Sequence, residues 1–385
     1  MDWQNMKYLG YFLFIVSLFI LWIYLFIEPA VIFLAKGQIE KILPAAVVSI
    51  GRLDIKPFHH LTFSDIEINK YPVYDFKIKE AGIAYNIFSL LGAKIIKFHL
   101  KEADISVNMA QNNLSEFNKY LNLKARGGFS LGALELSNAN LQVESRDLNL
   151  RAQLSLELEP LNQIVRYCAL NIDSLDFNGF HLQDASLRVK QMPEAGEFSV
   201  GLMRYDKLRV KGIKSKAVLE GSRLRLDSLR ADFLEGQIQG DLDFRIDKKP
   251  QYLLNLKFLD CAVSAFVRDF NLQKKFTASG LLSGALTLKG SGPDLSILSA
   301  DFLAVKPGGV LSIVDTKFLE GMARNSGESL DLLVESFKNY RYNEGVIKLS
   351  LDKNNLILEA ALEGEAGRRN LTVTIHNFEL WREAK

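Results

Sequence analysis

From Leu234 to Ile246 the chain reads LEGQIQGDLDFRI, with Leu, Gly, Ile, Gly, Leu, Phe and Ile at the even positions and only Glu, Gln, Asp and Arg between them. Side chains of a strand point alternately to opposite faces, so this pattern predicts one strand with an apolar face and a wet face. At about 3.3 Å per residue it would span roughly 40 Å, well beyond the common strand of about 5 to 6 residues. The same period of two recurs in Leu148, Leu150, Ala152, Leu154, Leu156 and Leu158, in Ile347, Leu349 and Leu351, and in Leu371, Val373 and Ile375. It is also present in FHLKEADISV, RLRLDSLRADF and LLSGALTLKG. Turn residues punctuate these runs at Gly127-Gly128, Asn178-Gly179, Lys248 to Pro250, Ser291 to Asp294, Asp352 to Asn355 and Gly364 to Gly367. Such short breaks predict hairpins, because a parallel crossover needs about a dozen or more residues.

Helical patterning is confined to a few places. Tyr8 to Ile27, YLGYFLFIVSLFILWIYLFI, carries no charge; at a rise of about 1.5 Å its length is about 30 Å, one bilayer core. It predicts a transmembrane helix and is too apolar for too long to be a signal peptide. Tyr8, Phe14, Leu21, Trp22 and Ile27 are its anchor candidates. Lys7 precedes it and Lys36 and Lys41 follow, so flanking charge does not orient it. Glu28-Pro29 predicts a break, and Ala30 to Leu43 a short second helix lying near the membrane surface before Pro44. Further short helices are expected over Leu114–Leu121, over Ala262–Phe270, and in GESLDLLVESFKNY, where Leu330, Leu333 and Phe337 share a face. The expected organisation is an anchor over residues 1–28, a juxtamembrane helix over 29–44, a repetitive β region over 45–306, and a helix with closing strands over 307–385.

Charge and chemistry narrow the picture by exclusion. The 47 basic and 45 acidic residues are interspersed, which leaves no stripe for tracking phosphates, so nucleic acid is not an expected partner. Cys168 and Cys261 lack the spacing of a zinc or redox motif and read as buried or half-buried residues. Of His59, His60, His99, His181 and His376, only the first two are neighbours, and adjacent strand residues face opposite ways; all five read as solvated or turn residues, with no metal. GSGPDL, Gly290 to Leu295, has neither the third glycine of a dinucleotide loop nor the lysine of a phosphate loop and reads as a turn. No nucleophile, base or ligand constellation stands out, so neither an enzyme nor a cofactor is expected.

An amphipathic sheet must cover its apolar face with a second sheet, with helices or with a ligand. Helices are scarce here. A sandwich or closed barrel is one solution; a curled trough filled by lipid acyl chains is another. Gly236 and Gly240, which interrupt the apolar row of Leu234, Ile238, Leu242 and Phe244, suit the second by permitting tight bending.

Three stretches carry a resemblance. IAYNIFSLLGAKIIKFHLKEADISVNM, Ile83 to Met109, is similar to an N-terminal pattern of strand, short turn and strand in the AsmA-like superfamily of envelope proteins, which includes AsmA, TamB and YdbH. ADFLEGQIQGDLDF with GLLSGALTLKGSGPDLSIL resembles paired strands near the AsmA C-terminus. PGGVLSIVDT, followed by LLVESFKNYRYNEGVIKLSLDKNNLILEAALEGEAGRRNLTVTIHNFEL, resembles the C-terminal region of YdbH-type members.

The resemblance implies a mainly β protein: an N-terminal transmembrane helix, then a long, curled, mostly antiparallel sheet with a few short helices, forming a groove. It implies a single-pass inner-membrane protein whose body lies in the periplasm and carries phospholipid between inner and outer membranes. Leu148, Leu150, Leu154, Leu156, Leu234, Ile238, Leu242, Phe244, Leu286, Leu288, Ile347, Leu349 and Leu351 would line the groove. The chain is short for the superfamily. A groove of about two dozen strands stacked at about 4.8 Å would run on the order of 100 Å, so an outer-membrane or periplasmic partner, or self-association, is expected to extend it. The alternative expectation is a periplasmic scaffold for outer-membrane protein assembly that uses exposed strand edges.

Overall fold

The computed structural model describes residues 27–376 apart from 109–129, 316–319, 321–328 and short loop stretches. The transmembrane helix expected over 8–27 lies, but for Ile27, outside the described residues, as does the helix expected over Leu114–Leu121. Among the described residues no helix is long and apolar enough to cross a membrane.

Two compact units are present; the first holds the residues up to Arg146 together with Arg151–Ile164, the second Asp147–Leu150 and Val165 onward. In the first unit residues 27–41 form helix α1. Glu28 and Pro29, where the sequence predicts a break, stand at its described start, where proline's fixed φ suits a first helical turn. Glu28 Oε1 accepts the Leu53 backbone N–H at 3.2 Å, while Ile39 and Leu43 pack on a cluster that includes Ala46, Val48, Ile66 and Tyr74. The helix therefore lies antiparallel alongside the first strand. That strand, β1 (Val47–Lys56), pairs with β2 (His60–Lys70), then β3 (Tyr74–Ala84) and β4 (Lys94–Asn108) follow, all antiparallel. β5 (Ser130–Glu144) lies parallel to β4, an exception within the expected, mostly antiparallel sheet. The interval between them is long enough for a parallel crossover. β6 spans Leu148–Glu159.

The second unit is an antiparallel meander. β7 (Ile164–Phe177), β8 (Phe180–Lys190), β9 (Gly196–Tyr205), β10 (Leu208–Glu220), β11 (Arg223–Phe233), β12 (Gly236–Arg245) and β13 (Gln251–Ala262) pair in sequence order. The chain then leaves for helix α2 (Val263–Asp269) and β14 (Phe276–Ala278) before β15 (Leu281–Ser291) returns to pair with β13. A second excursion follows β16 (Asp294–Ala304), through β17 (Gly309–Ile313) and helix α3 (Leu330–Phe337) to β18 (Tyr340–Asp352), which pairs with β16. β14 pairs with β17 and β17 with β18, so the excursions make a small ribbon of their own. β19 (Asn355–Gly364) and β20 (Gly367–Ile375) complete the ladder. Four of the expected turns are in place, with Gly179, Gly292, Lys353 and Gly367 at positive φ; the turn expected at Gly127-Gly128, and Lys248 of the one expected at Lys248 to Pro250, lie outside the described residues. Both short helices expected in this region are present as α2 and α3.

Strict alternation, the basis of the strand assignments, fails at one point in most strands. In β1 to β5 the apolar residues step by three instead of two: Ile50 to Leu53, Phe63 to Ile66, Ile78 to Ala81, Leu100 to Ala103, and Leu136 to Ala139. The extra residues, Gly51, Asp65, Lys79, Glu102 and Asn138, lie in one line across the strands, and pairing resumes in register on both sides of it. Asp65, Glu102 and Asn138 have φ of 55, 49 and 54°. This left-handed region is costly for most residues, and Asn and Asp tolerate it best. Asn138 N–H, turned out of the ladder, donates to Ser155 Oγ at 3.1 Å. Gly51 faces Asp65 so closely that a β-carbon there would sit 3.0 Å from the Asp65 Cβ.

The second unit repeats the device. Asp173, Asp184, Gly201 and Gly212 occupy the step in β7 to β10, with Asp184 at φ 52° and Gly212 at 60°. Gly201 packs on Asp184 as Gly51 does on Asp65. In β11 and β13 the step falls at Ser228 and Asp260, and there the partner strand lacks it, so the register shifts and a bulge results. Asp260 N–H donates to Ser283 Oγ at 2.9 Å, the same rescue as at Asn138.

If the left-handed backbone of Asp184 sets this step, Asp184→Val lowers the unfolding free energy by about 1–2 kcal/mol, whereas Asp184→Gly changes it much less. Urea midpoints of the two variants check this; equal losses would mean that the carboxylate, not the backbone, matters.

An uncovered apolar face as candidate functional site

The strand register of the second unit aligns apolar residues into rows that cross the strands. One row reads Ala231, Ile238, Phe258, Gly284, Phe302, Ile347 and Ala360. The next reads Leu229, Gly240, Leu256, Leu286, Ala300, Leu349 and Leu358, and a third Leu226, Leu242, Leu254, Leu288 and Leu298. The long apolar path therefore runs across strands and not, as the opening stretch suggests, along one of them. The first unit has rows of its own, such as Leu53, Phe63, Ala81, Leu100 and Leu136.

Most of these side chains are only half-buried. Of the predicted lining residues, Ile238 alone is buried, 5% exposed within a cluster with Ala185, Val200, Ile213, Ala231, Phe258 and Cys261. Leu148, Leu150, Leu242, Phe244, Leu286, Leu288, Ile347, Leu349 and Leu351 in the second unit, and Leu154 and Leu156 in the first, keep part of their surface in water. Leu234 departs from its prediction. With Glu235 it forms the β11–β12 turn at φ of 47 and 63°, and packs on the Ile238 cluster from there. Among the described residues the helices α2 and α3, of seven and eight residues, are too short to roof the fourteen strands β7 to β20. α2 is held at that same turn by Arg268 Nη1 on Glu235 Oε1 at 2.8 Å. α3 is fixed at its end by Phe337 and Tyr340, over whose rings the Arg369 guanidinium lies at 6.0 and 5.9 Å.

Glycines in the rows mark where backbone or aromatic rings close in. A β-carbon at Gly236 or Gly240 would overlap the carbonyl oxygen of Leu259 or Asn255 on β13. Gly284 separates Phe258 from Phe302, whose rings meet edge-on across it at 5.3 Å. Gly290 lies under the Tyr252 ring. The pattern drew attention to Gly236 and Gly240; it gave no signal for Gly284 and Gly290, whose importance comes from the aromatic residue opposite.

The other face is a polar ladder. Asn255 joins Asp241 at 3.0 Å to Thr287 at 3.2 Å. Arg223 grips the Asp243 carboxylate through Nε, at 2.9 and 3.0 Å, and through Nη2. That hydrogen bonding holds the Asp243 carboxyl below the usual carboxylate range. On the first unit Glu80 is held low in the same way, first by Lys101 at 2.7 Å and then by His99 at 2.9 Å. His99 corrects the reading of solvated histidines. It is buried, its ring stacked on His60 at 5.2 Å and seated where a β-carbon of Gly82 would otherwise be.

Burial pushes the Cys168 and Cys261 thiols up, which disfavours a reactive thiolate. Among the described residues no group of His, Cys, Asp and Glu is placed to hold a metal ion. What this arrangement can do is present a wide, partly wetted hydrocarbon surface beside a polar rim.

A family model described as YdbH-like, intermembrane phospholipid transport protein YdbH, matches residues 110–370. It spans β5 to β19 and the first four residues of β20, and leaves β1 to β4 outside. No curated protein and no solved structure is matched.

Gly240→Ala is expected to cost about 1–3 kcal/mol through overpacking against β13, whereas Gly37→Ala, with open space around it in α1, should gain about 0.5–1 kcal/mol of helix stability. Thermal unfolding of the two variants checks this contrast.

Proposed function

Because the chain belongs to the YdbH-like family of intermembrane phospholipid transport proteins, we propose that the half-buried rows are its lipid path. Acyl chains lie along them, and headgroups remain in water at the strand ends. The supporting observation is the partial exposure of Leu242, Leu286, Leu288, Ile347 and Leu349, in rows continuous from strand to strand. A dry core would bury them, and isolated exposed leucines would not align.

The mechanism follows from burial energetics. Each methylene kept from water is worth about 0.8 kcal/mol, so an acyl chain of ordinary length strongly resists desorption into solvent. Strands are spaced about 4.8 Å apart. A lipid moving along a row exchanges one apolar neighbour for another at each step and never exposes its tail. Glycines at 236, 240 and 284 deepen the rows and let strands approach. No chemical step is needed, and the family is one of transport proteins and not of enzymes.

In this reading Tyr8 to Ile27 anchors the chain in the inner membrane, the body lies in the periplasm, and a partner or further copy extends the path to the outer membrane. A scaffold that works through its first strand edge is less favoured. Glu28 accepts the Leu53 N–H there, and α1 lies along β1.

Native mass spectrometry of the full chain, with extraction of the same sample, tests the path. Leu288→Asp, at a half-buried position, is expected to keep the fold and lose bound phospholipid, while Ile238→Asp, in the buried cluster, should unfold the protein by about 3 kcal/mol or more. A folded Leu288→Asp chain that carries as much phospholipid as the wild type would overturn the reading.

A further inference from the structure

Helix α1 is apolar on two sides. Val31, Ile32, Ala35 and Ile39 are half-buried toward the sheet, and Ile39 packs on the first unit's apolar cluster. At 3.6 residues per turn, Ala30, Phe33, Leu34 and Gly37 fall on the opposite side. Phe33 is 76% and Leu34 62% exposed. An apolar helix side belongs in an apolar surrounding, yet the sheet supplies that on one side only. The same character continues at Val47, 65% exposed at the start of β1, and at Tyr71, 96% exposed in the β2–β3 turn across from it. Exposed Lys36 lies beside the outer stripe and exposed Lys41 closes its C-terminal end, with Glu40 paired to Lys36 at 3.9 Å.

We infer that the outer side of α1 is a docking surface for an anionic phospholipid bilayer, and that α1 is the place where lipid passes from bilayer to sheet. The occupant is set by what adjoins the helix. The charge-free sequence Tyr8 to Ile27 ends where α1 begins, so α1 starts at the bilayer surface if that stretch is an anchor. A two-sided apolar helix with lysines at its margins suits the headgroup and acyl boundary, as does an exposed tyrosine beside it. Phe33 and Leu34 would lie among acyl chains while Val31, Ala35 and Ile39 lie on the sheet. A lipid rounding the helix then keeps its tail covered from one medium to the other. This inference deepens the lipid-path reading and rests on it.

The test uses the full chain in nanodiscs containing phosphatidylglycerol, with Cys168→Ser and Cys261→Ala in the background and a nitroxide placed at Phe33→Cys or, as a control on the polar sheet face, at Lys257→Cys. The label at position 33 should collide preferentially with oxygen, and the label at 257 with a water-soluble nickel chelate. Equal, nickel-dominated collision at both sites would overturn the docking. Phe33→Asp with Leu34→Asp should slow loading of lipid from donor vesicles by about tenfold or more, while loading of detergent-dispersed lipid stays normal. Unchanged vesicle loading would remove α1 as the point of entry. A wild-type body that takes up no lipid from either source removes the path itself, and the collision result still decides whether α1 docks.

Discussion

A bent strand has to keep its apolar side chains on one side of the sheet, and the rest of this structure depends on how that is achieved. Alternation is a rigid rule: after any odd insertion every following residue faces the other way. Here the insertion is a single residue, left-handed at Asp65, Glu102, Asn138, Asp184, Gly212, Ser228 and Asp260, and the sequence is rewritten beyond it so that the apolar set stays together. Because neighbouring strands from β1 to β5 make the step at the same level, ladder hydrogen bonds resume in register beyond it. The rows of leucine and phenylalanine on which the functional reading rests exist only because this correction is repeated.

Polar groups make the step affordable. A left-handed residue turns its N–H away from the adjoining strand, and a buried or half-buried donor left unpaired costs about 1–3 kcal/mol. Serine hydroxyls on the next strand accept that hydrogen at Asn138 and at Asp260. Glycine opposite aspartate, at Gly51 with Asp65 and Gly201 with Asp184, admits the close approach that the bend brings. These polar and small residues look incidental in the sequence, yet they hold the geometry of the apolar face.

Much of the fold was legible from residue types. Period-two runs located most strands, glycine and asparagine pairs marked the hairpins, and the helices α2 and α3 fell where amphipathic runs predicted them. Two misses share one cause, which is that local pattern carries no information on what lies opposite. Leu234 reads as the first residue of β12, but the chain turns there on two non-glycine residues. His99 is buried by a glycine on β3 and a histidine on β2, both distant in sequence. The step itself was present in the sequence, as an apolar spacing of three with Asp, Asn, Ser or Gly within it, and strict alternation counted such sites as noise. The candidate rows were predicted residue by residue, while their direction across the strands became visible only with the register.

The step at Asp184 and its counterparts bears on how such chains can change over evolutionary time. A duplicated hairpin brings its own extra residue at the matching level, so the sheet can lengthen by whole hairpins without disturbing its neighbours. Loss of one residue at a step is a different event: the half-strand beyond it is turned inside out, with leucines on the polar face and carboxylates on the apolar one. Length is therefore free to drift in units of two strands, and the interior of each strand is closed to single-residue insertion or deletion.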